Sequence, residues 1–136
     1  MTIEVVRDTS QKMKHTVHVR QHTFAIDEPE SNGGEDLGVT PHDVYDSALG
    51  ACKALTMLWY ARRKQIPVDD IRVTVERDDS EERRGTYRLR VTLNVTGALT
   101  DAQRQELLTV ADKCPVHKLM TKVTTEVTTE LVAAGA

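Results

Sequence analysis

Aromatic residues are scarce in this chain: one Phe, one Trp and three Tyr among 136 residues. A core of stacked rings is therefore excluded, and the interior has to be aliphatic, built from Val, Leu, Ala and Ile. A basic excess is also missing. Lys and Arg number 18 against 21 Asp and Glu, a formal net charge of −3. No electrostatic footprint for nucleic acid or for an anionic membrane is present. No apolar run approaches the ~20 residues that cross a bilayer. The start, Met1 to Arg7, has no basic segment leading into an apolar stretch, so no signal peptide is read and the expected location is cytoplasmic. Repeats, low-complexity tracts and internal boundaries are absent, and the length predicts a single domain over 1–136. There is no phosphate loop, nucleophile elbow or dinucleotide fingerprint, and no cofactor is expected.

Cysteine is scarce too, but the two present sit in unlike contexts. Cys52 lies in a small-residue run, Asp46-Ser-Ala-Leu-Gly-Ala-Cys-Lys-Ala-Leu55. Cys114 lies in Asp112-Lys-Cys-Pro-Val-His-Lys118. Their separation is too great for a CxxC motif or a compact metal knuckle. In a reducing compartment a structural disulfide is uncommon, so such a pair is catalytic, redox-sensing or inertly packed.

Periodicity organises the rest. Ile3 and Val5, then Val17 and Val19, then Phe24 and Ile26 alternate with polar residues, which predicts a three-stranded meander. Residues 28–39 form a long polar loop of the kind that borders sites. Thr40 and Pro41 open a helix running to about Lys64, roughly 35 Å long at ~1.5 Å per residue. Val44, Ala48, Cys52, Leu55 and Trp59 share one face of it. Its middle is nearly all small, so it is expected to be central and buried. Ile71–Val75 and Tyr87–Val95 alternate as a hairpin around the charged turn 78–85. Thr100 with Gln103 makes a capping box for a second helix, on which Leu107, Ala111 and Cys114 share a face. Pro115 ends it and starts a short helix to about Thr121, with Cys114 as its cap, where the helix dipole favours thiolate. Val123–Leu131 reads as a closing strand with Thr124, Glu126, Thr128 and Glu130 solvated, and the final Ala134-Gly135-Ala136 as frayed. The class is α+β, in the order βββ-α-ββ-α-α-β.

The stretches Gly38-Val-Thr-Pro-His-Asp-Val-Tyr-Asp-Ser-Ala-Leu-Gly-Ala-Cys52 and Ala111-Asp-Lys-Cys-Pro-Val-His117 resemble the first- and second-cysteine motifs of the OsmC/Ohr family of thiol peroxidases. The resemblance covers nearly the whole chain. It implies an OsmC-like fold in an intertwined homodimer, with long central helices packed with antiparallel sheets. It also implies a two-cysteine cycle. Cys52 attacks an organic hydroperoxide and becomes a sulfenic acid. Cys114 resolves this to a disulfide, which an external dithiol such as a lipoyl dithiol reduces. The family's activating Glu, ten residues before the first cysteine, is replaced by His42, and the nearest carboxylate is Asp43. Arg7 is the closest match to the family's arginine, with Arg20 as a fallback. Lys53 follows Cys52 where many of the peroxidases have an aromatic or small residue. These departures imply a divergent branch.

Other arrangements carry less. Cys114 and His117 are half of a zinc pattern with no second pair nearby, and no metal is expected. His15, His18 and His22 read as a solvated hairpin. The alternative to the enzyme is a non-catalytic OsmC-like dimer that binds a small apolar ligand or senses redox state with its thiols. His42 favours that alternative, and the retained cysteine pair favours the enzyme.

Overall fold

The computed structural model describes residues 1–133; the expected frayed tail lies outside the described residues. The element order is β1 (Ile3–Arg7), β2 (His15–Val19), β3 (His22–Ile26), α1 (Pro41–Lys64), β4 (Val68–Asp78), β5 (Arg88–Gly97), α2 (Asp101–Ala111) and α3 (Pro115–Thr121), with short 3-10 turns at Glu30–Asn32 and Glu82–Arg84. This is the expected α+β class and order up to Thr121. Among the described residues, no helix is long and apolar enough to cross a membrane.

The chain forms two compact units, one of residues 1–50 with 74–92, the other of 51–73 with the chain from 93 onward. In the first, β1, β2 and β3 make an antiparallel sheet in that order, with Val5 opposite Val17 and Val17 opposite Phe24. The two-residue turn Arg20–Gln21 holds Arg20 at a left-handed φ of 54°, so this fallback arginine is an exposed turn residue. The loop 28–39 is organised by one side chain. Buried Asp27 accepts the backbone N–H groups of Glu28, Glu35 and Leu37 at 2.8, 3.2 and 3.1 Å. Burial raises its carboxyl, but these N–H groups outweigh that and hold it below the ordinary value. Gly34 passes so close to the Glu28 carbonyl that a Cβ would lie 2.0 Å from its oxygen, so only Gly fits the turn.

In the second unit, Met57, Ala61, Ile66, Leu107 and Ala111 are the buried cluster, flanked by Tyr60, Val68, Ile71, Val73, Leu93, Val95 and Leu99. The buried residues are aliphatic, as the shortage of rings requires. The alternation of β4 and β5 lays Ile71, Val73, Leu93 and Val95 on this core and leaves Arg72, Thr92 and Asn94 exposed. The expected capping box on α2 is present, with Thr100 and Gln103 reciprocally bonded.

Two expectations change. The face of α1 that is buried carries Asp46, Leu49, Lys53, Met57 and Ala61. The face drawn through Val44, Ala48, Cys52, Leu55 and Trp59 is half-buried at Val44 and Cys52 and open elsewhere, with Leu55 66% and Trp59 60% exposed. Helical spacing shows which residues share a face but not which neighbour that face meets, and α1 is apolar on two sides. The closing strand over 123–131 does not form within this chain: the segment carries neither helix nor strand, and Val127 and Leu131 are 79% and 98% exposed. A strand exists only through ladder bonds to a partner, and neither described sheet includes this segment.

Candidate active site

The second unit brings the two sequence-predicted thiols together. Cys52 lies twelve residues into α1 and is half-buried, whereas Cys114 is fully buried, and both are free thiols. The two thiols lie near each other, close enough for each to act on the other's ionisation. Local sequence explains the position of Cys114. Pro115 bars helical geometry at the residue before it and itself occupies the first position of α3. Cys114 is thus the cap residue between α2 and α3, extended at φ −63° and ψ 146°. Its sulfur makes no formal cap bond, but the His117 N–H lies near enough to act on it. Burial pushes the Cys114 thiol up, and the neighbouring Cys52 adds to the rise. The His117 N–H and the Lys53 charge pull it back without reversing the direction.

Lys53 is the part of the site that sequence reasoning treated only as a departure. It is 3% exposed. Its Nζ donates to the Ala111 carbonyl at 3.0 Å and to His117 Nδ1 at 2.9 Å, and approaches Asp112 Oδ1 at 3.5 Å. An ammonium has three donors and no acceptor, and three acceptors meet it. His117 Nδ1 must therefore carry a lone pair, which puts the ring proton on Nε2. The signal was available: Lys53, Met57 and Ala61 lie at i, i+4 and i+8, so a buried Met57 implies a buried lysine. In the zinc pattern of Cys114 and His117, the histidine's Nδ1 faces the Lys53 ammonium. Among the described residues no group of three or more His, Cys, Asp or Glu converges as metal ligands.

The supporting residues named from sequence lie in the first unit. Asp43, third residue of α1, completes a capping box with the cap residue Thr40: its N–H donates to Thr40 Oγ1 at 3.1 Å, and its carboxylate accepts the Thr40 N–H at 3.0 Å. It also pairs with Arg77 Nη2 at 2.7 Å, while Arg77 Nε meets Asp46 Oδ2 at 2.5 Å. The Thr40 N–H first, and Arg77 next, hold the Asp43 carboxyl below its ordinary value against a smaller effect of burial. Asp43 and Asp46 hold the Arg77 guanidinium well above its own. Tyr87 donates to Asp46 Oδ1 at 2.6 Å, and burial with that carboxylate pushes the phenol up to about 12. Position 42, where the resemblance to the OsmC/Ohr family implies Glu, holds a histidine whose Nε2 donates to Glu82 Oε1 at 2.7 Å. Pro41, His42, Tyr45, Glu82 and Tyr87 line an open groove of about 410 Å³. The Arg7 guanidinium donates to the carbonyls of Gln11 and Lys12, both at 3.2 Å, in its own hairpin turn. Neither Arg77, Asp46 nor Tyr87 was singled out from sequence, because their partners are 31 to 41 positions away.

Comparison with known proteins agrees with this fold. The sequence model of the OsmC-like protein family matches residues 33–130. The fold is shared with solved structures. An OsmC-like protein from Mycoplasma pneumoniae is 21% identical, with 90% of this chain and 87% of that one covered at a TM-score of 0.71. An organic hydroperoxide resistance protein from Legionella pneumophila is 19% identical, with 89% and 88% covered at 0.62. The organic hydroperoxide resistance protein OhrB of Bacillus subtilis is 21% identical, with 89% and 90% covered at 0.59. No curated protein matches the sequence. The chain belongs to the OsmC-like family.

Proposed function

We propose that this protein is a thiol peroxidase that reduces organic hydroperoxides. The observation that carries the reading is the meeting of a half-buried and a fully buried thiol in one unit. The Cys52 thiolate, reachable from outside, attacks the distal peroxide oxygen. The O–O bond breaks, the alcohol leaves after taking up a proton, and Cys52 becomes a sulfenic acid. Cys114 then attacks the Cys52 sulfur, the S–S bond forms and water departs. A dithiol of lipoyl type reduces the disulfide and is itself oxidised to a cyclic disulfide. Such a cycle suits the cytoplasm, where reversible disulfides are catalytic. Membership of the OsmC-like family and the likeness to two organic hydroperoxide resistance proteins support the substrate class. The exposed Leu55 and Trp59 support a homodimer in which a second copy covers α1.

Peroxide consumption with cumene hydroperoxide and a lipoyl dithiol tests this. Cys52→Ser abolishes turnover. Cys114→Ser leaves about one turnover and a dimedone-trappable sulfenic acid at Cys52. Swapped phenotypes, or no consumption by the wild type with any dithiol, would remove the reading. One observation favours a second reading, in which the dimer binds an apolar ligand: the groove of His42, Tyr45 and Tyr87 at the position where the family has its Glu. Wild-type protein that is inert to peroxide yet shows saturable quenching of tyrosine fluorescence by an apolar probe would select it.

A further inference from the structure

Both sulfur-transfer steps of the proposed cycle put negative charge on a sulfur that water does not reach. When Cys114 attacks the sulfenic acid, it does so as thiolate; the S–S bond forms, the S–O bond breaks, and hydroxide leaves to be protonated. When an external thiolate attacks the more accessible Cys52 sulfur of the disulfide, the S–S bond breaks and its electron pair returns to Cys114. Cys114 is fully buried, and a buried anion is costly unless a cation faces it.

The titratable groups around it come from three elements: Cys52 and Lys53 from α1, Asp112 from the turn after α2, and His117 from α3. The charged members are Lys53 and Asp112. Asp112 is mostly exposed and lies 3.5 Å from Lys53, so it leaves most of the lysine charge in place. Lys53 is buried and bonded on two sides by Ala111 and His117, so its charge cannot swing away into solvent as that of a surface lysine does. We propose that Lys53 is the fixed counter-charge of Cys114, serving resolution and disulfide reduction rather than the attack on peroxide. It touches no substrate, and it acts through Cys114. It also pins α3 to α1 by way of His117, which holds the second-cysteine motif against the first.

The inference rests on the two-cysteine reading, and its test separates the two. In full-length protein treated with one equivalent of cumene hydroperoxide, Lys53→Met forms the Cys52 sulfenic acid at the wild-type rate. Disulfide closure then slows about tenfold, and the dimedone-trapped fraction rises. Lys53→Arg, which keeps the charge, restores closure. Lys53→Gln keeps a donor for Ala111 and His117 but no charge; it serves as the second variant should the Met protein fail to fold, and it shows the same slowing. Independently of any peroxide chemistry, thiolate absorbance near 240 nm in a Cys52→Ser background reports Cys114 alone, and removal of the Lys53 charge shifts that titration to higher pH. Closure rate and titration both unchanged in the Gln variant would overturn the role of Lys53. A wild-type protein that forms no disulfide with any hydroperoxide would instead overturn the peroxidase reading, and the thiolate titration would still decide whether Lys53 faces Cys114 as its counter-charge.

Discussion

A lysine and an aspartate show how single residues take on work their neighbours in sequence do not announce. Lys53 is held in the interior because a carbonyl and an imidazole satisfy it; without them, burial would cost more than the packing returns. Asp43 stood as a candidate activator of the thiol, and its observed partners are the first turn of α1 and Arg77. Its carboxyl is held below the ordinary value. A group with a depressed pKa in the folded state contributes fully above its unfolded value, about 4 for Asp, and loses the contribution as pH falls through the folded value. Asp43→Asn should therefore lower stability near neutrality. It should also flatten the acid limb of the stability profile, and urea midpoints measured from neutrality down to roughly pH 2 would show both effects. A midpoint profile parallel to that of the wild type would mean that neither the cap nor the ion pair matters.

At the scale of elements, the turn between β4 and β5 tests how far backbone conformation alone determines stability. Gly85 takes φ 95° at the end of the turn Glu82–Arg84, and a Cβ placed there would meet nothing within 4 Å. Gly85→Ala should then cost only the left-handed penalty, about 1 kcal/mol, read as a lower melting temperature with no change in peroxide turnover. Helix α1 poses the opposite problem. Its buried face needs no second copy, while Leu55 and Trp59 stand exposed on the other side. An apolar helix face of this kind is uncommon on a stable monomer, and the dimer proposed above would cover it. Sedimentation at micromolar concentration should give a dimer for the wild type. Leu55→Glu with Trp59→Glu should give a monomer or an unfolded chain. A folded wild-type monomer at that concentration would remove the dimer.

For the molecule as a whole, legibility divides by the range of the interaction. Helix α1 was readable because Thr40, Pro41 and the apolar spacing act within four residues. The β4–β5 hairpin was readable because its alternation has period two, and the α2–α3 junction because Pro115 acts on the residue beside it. The motifs around Cys52 and Cys114 were readable as sequence and pointed to the family that the comparisons show. The segment 123–131 looked like a strand by the same local rule, yet its pattern reports only that it could pair, not that a partner lies within the chain.

The sequence by itself determined the elements up to Thr121, the aliphatic core and two thiols in distinct motifs, because propensity, capping and periodicity are properties of short stretches. Only the tertiary structure decided which side of α1 is buried, that Cys114 meets Cys52, and that Lys53 reaches His117 across 64 positions. Those outcomes depend on how helices pack, and the packing energy is spread over many side chains such as Met57, Leu107 and Ala111, no one of which marks its distant partner in the sequence.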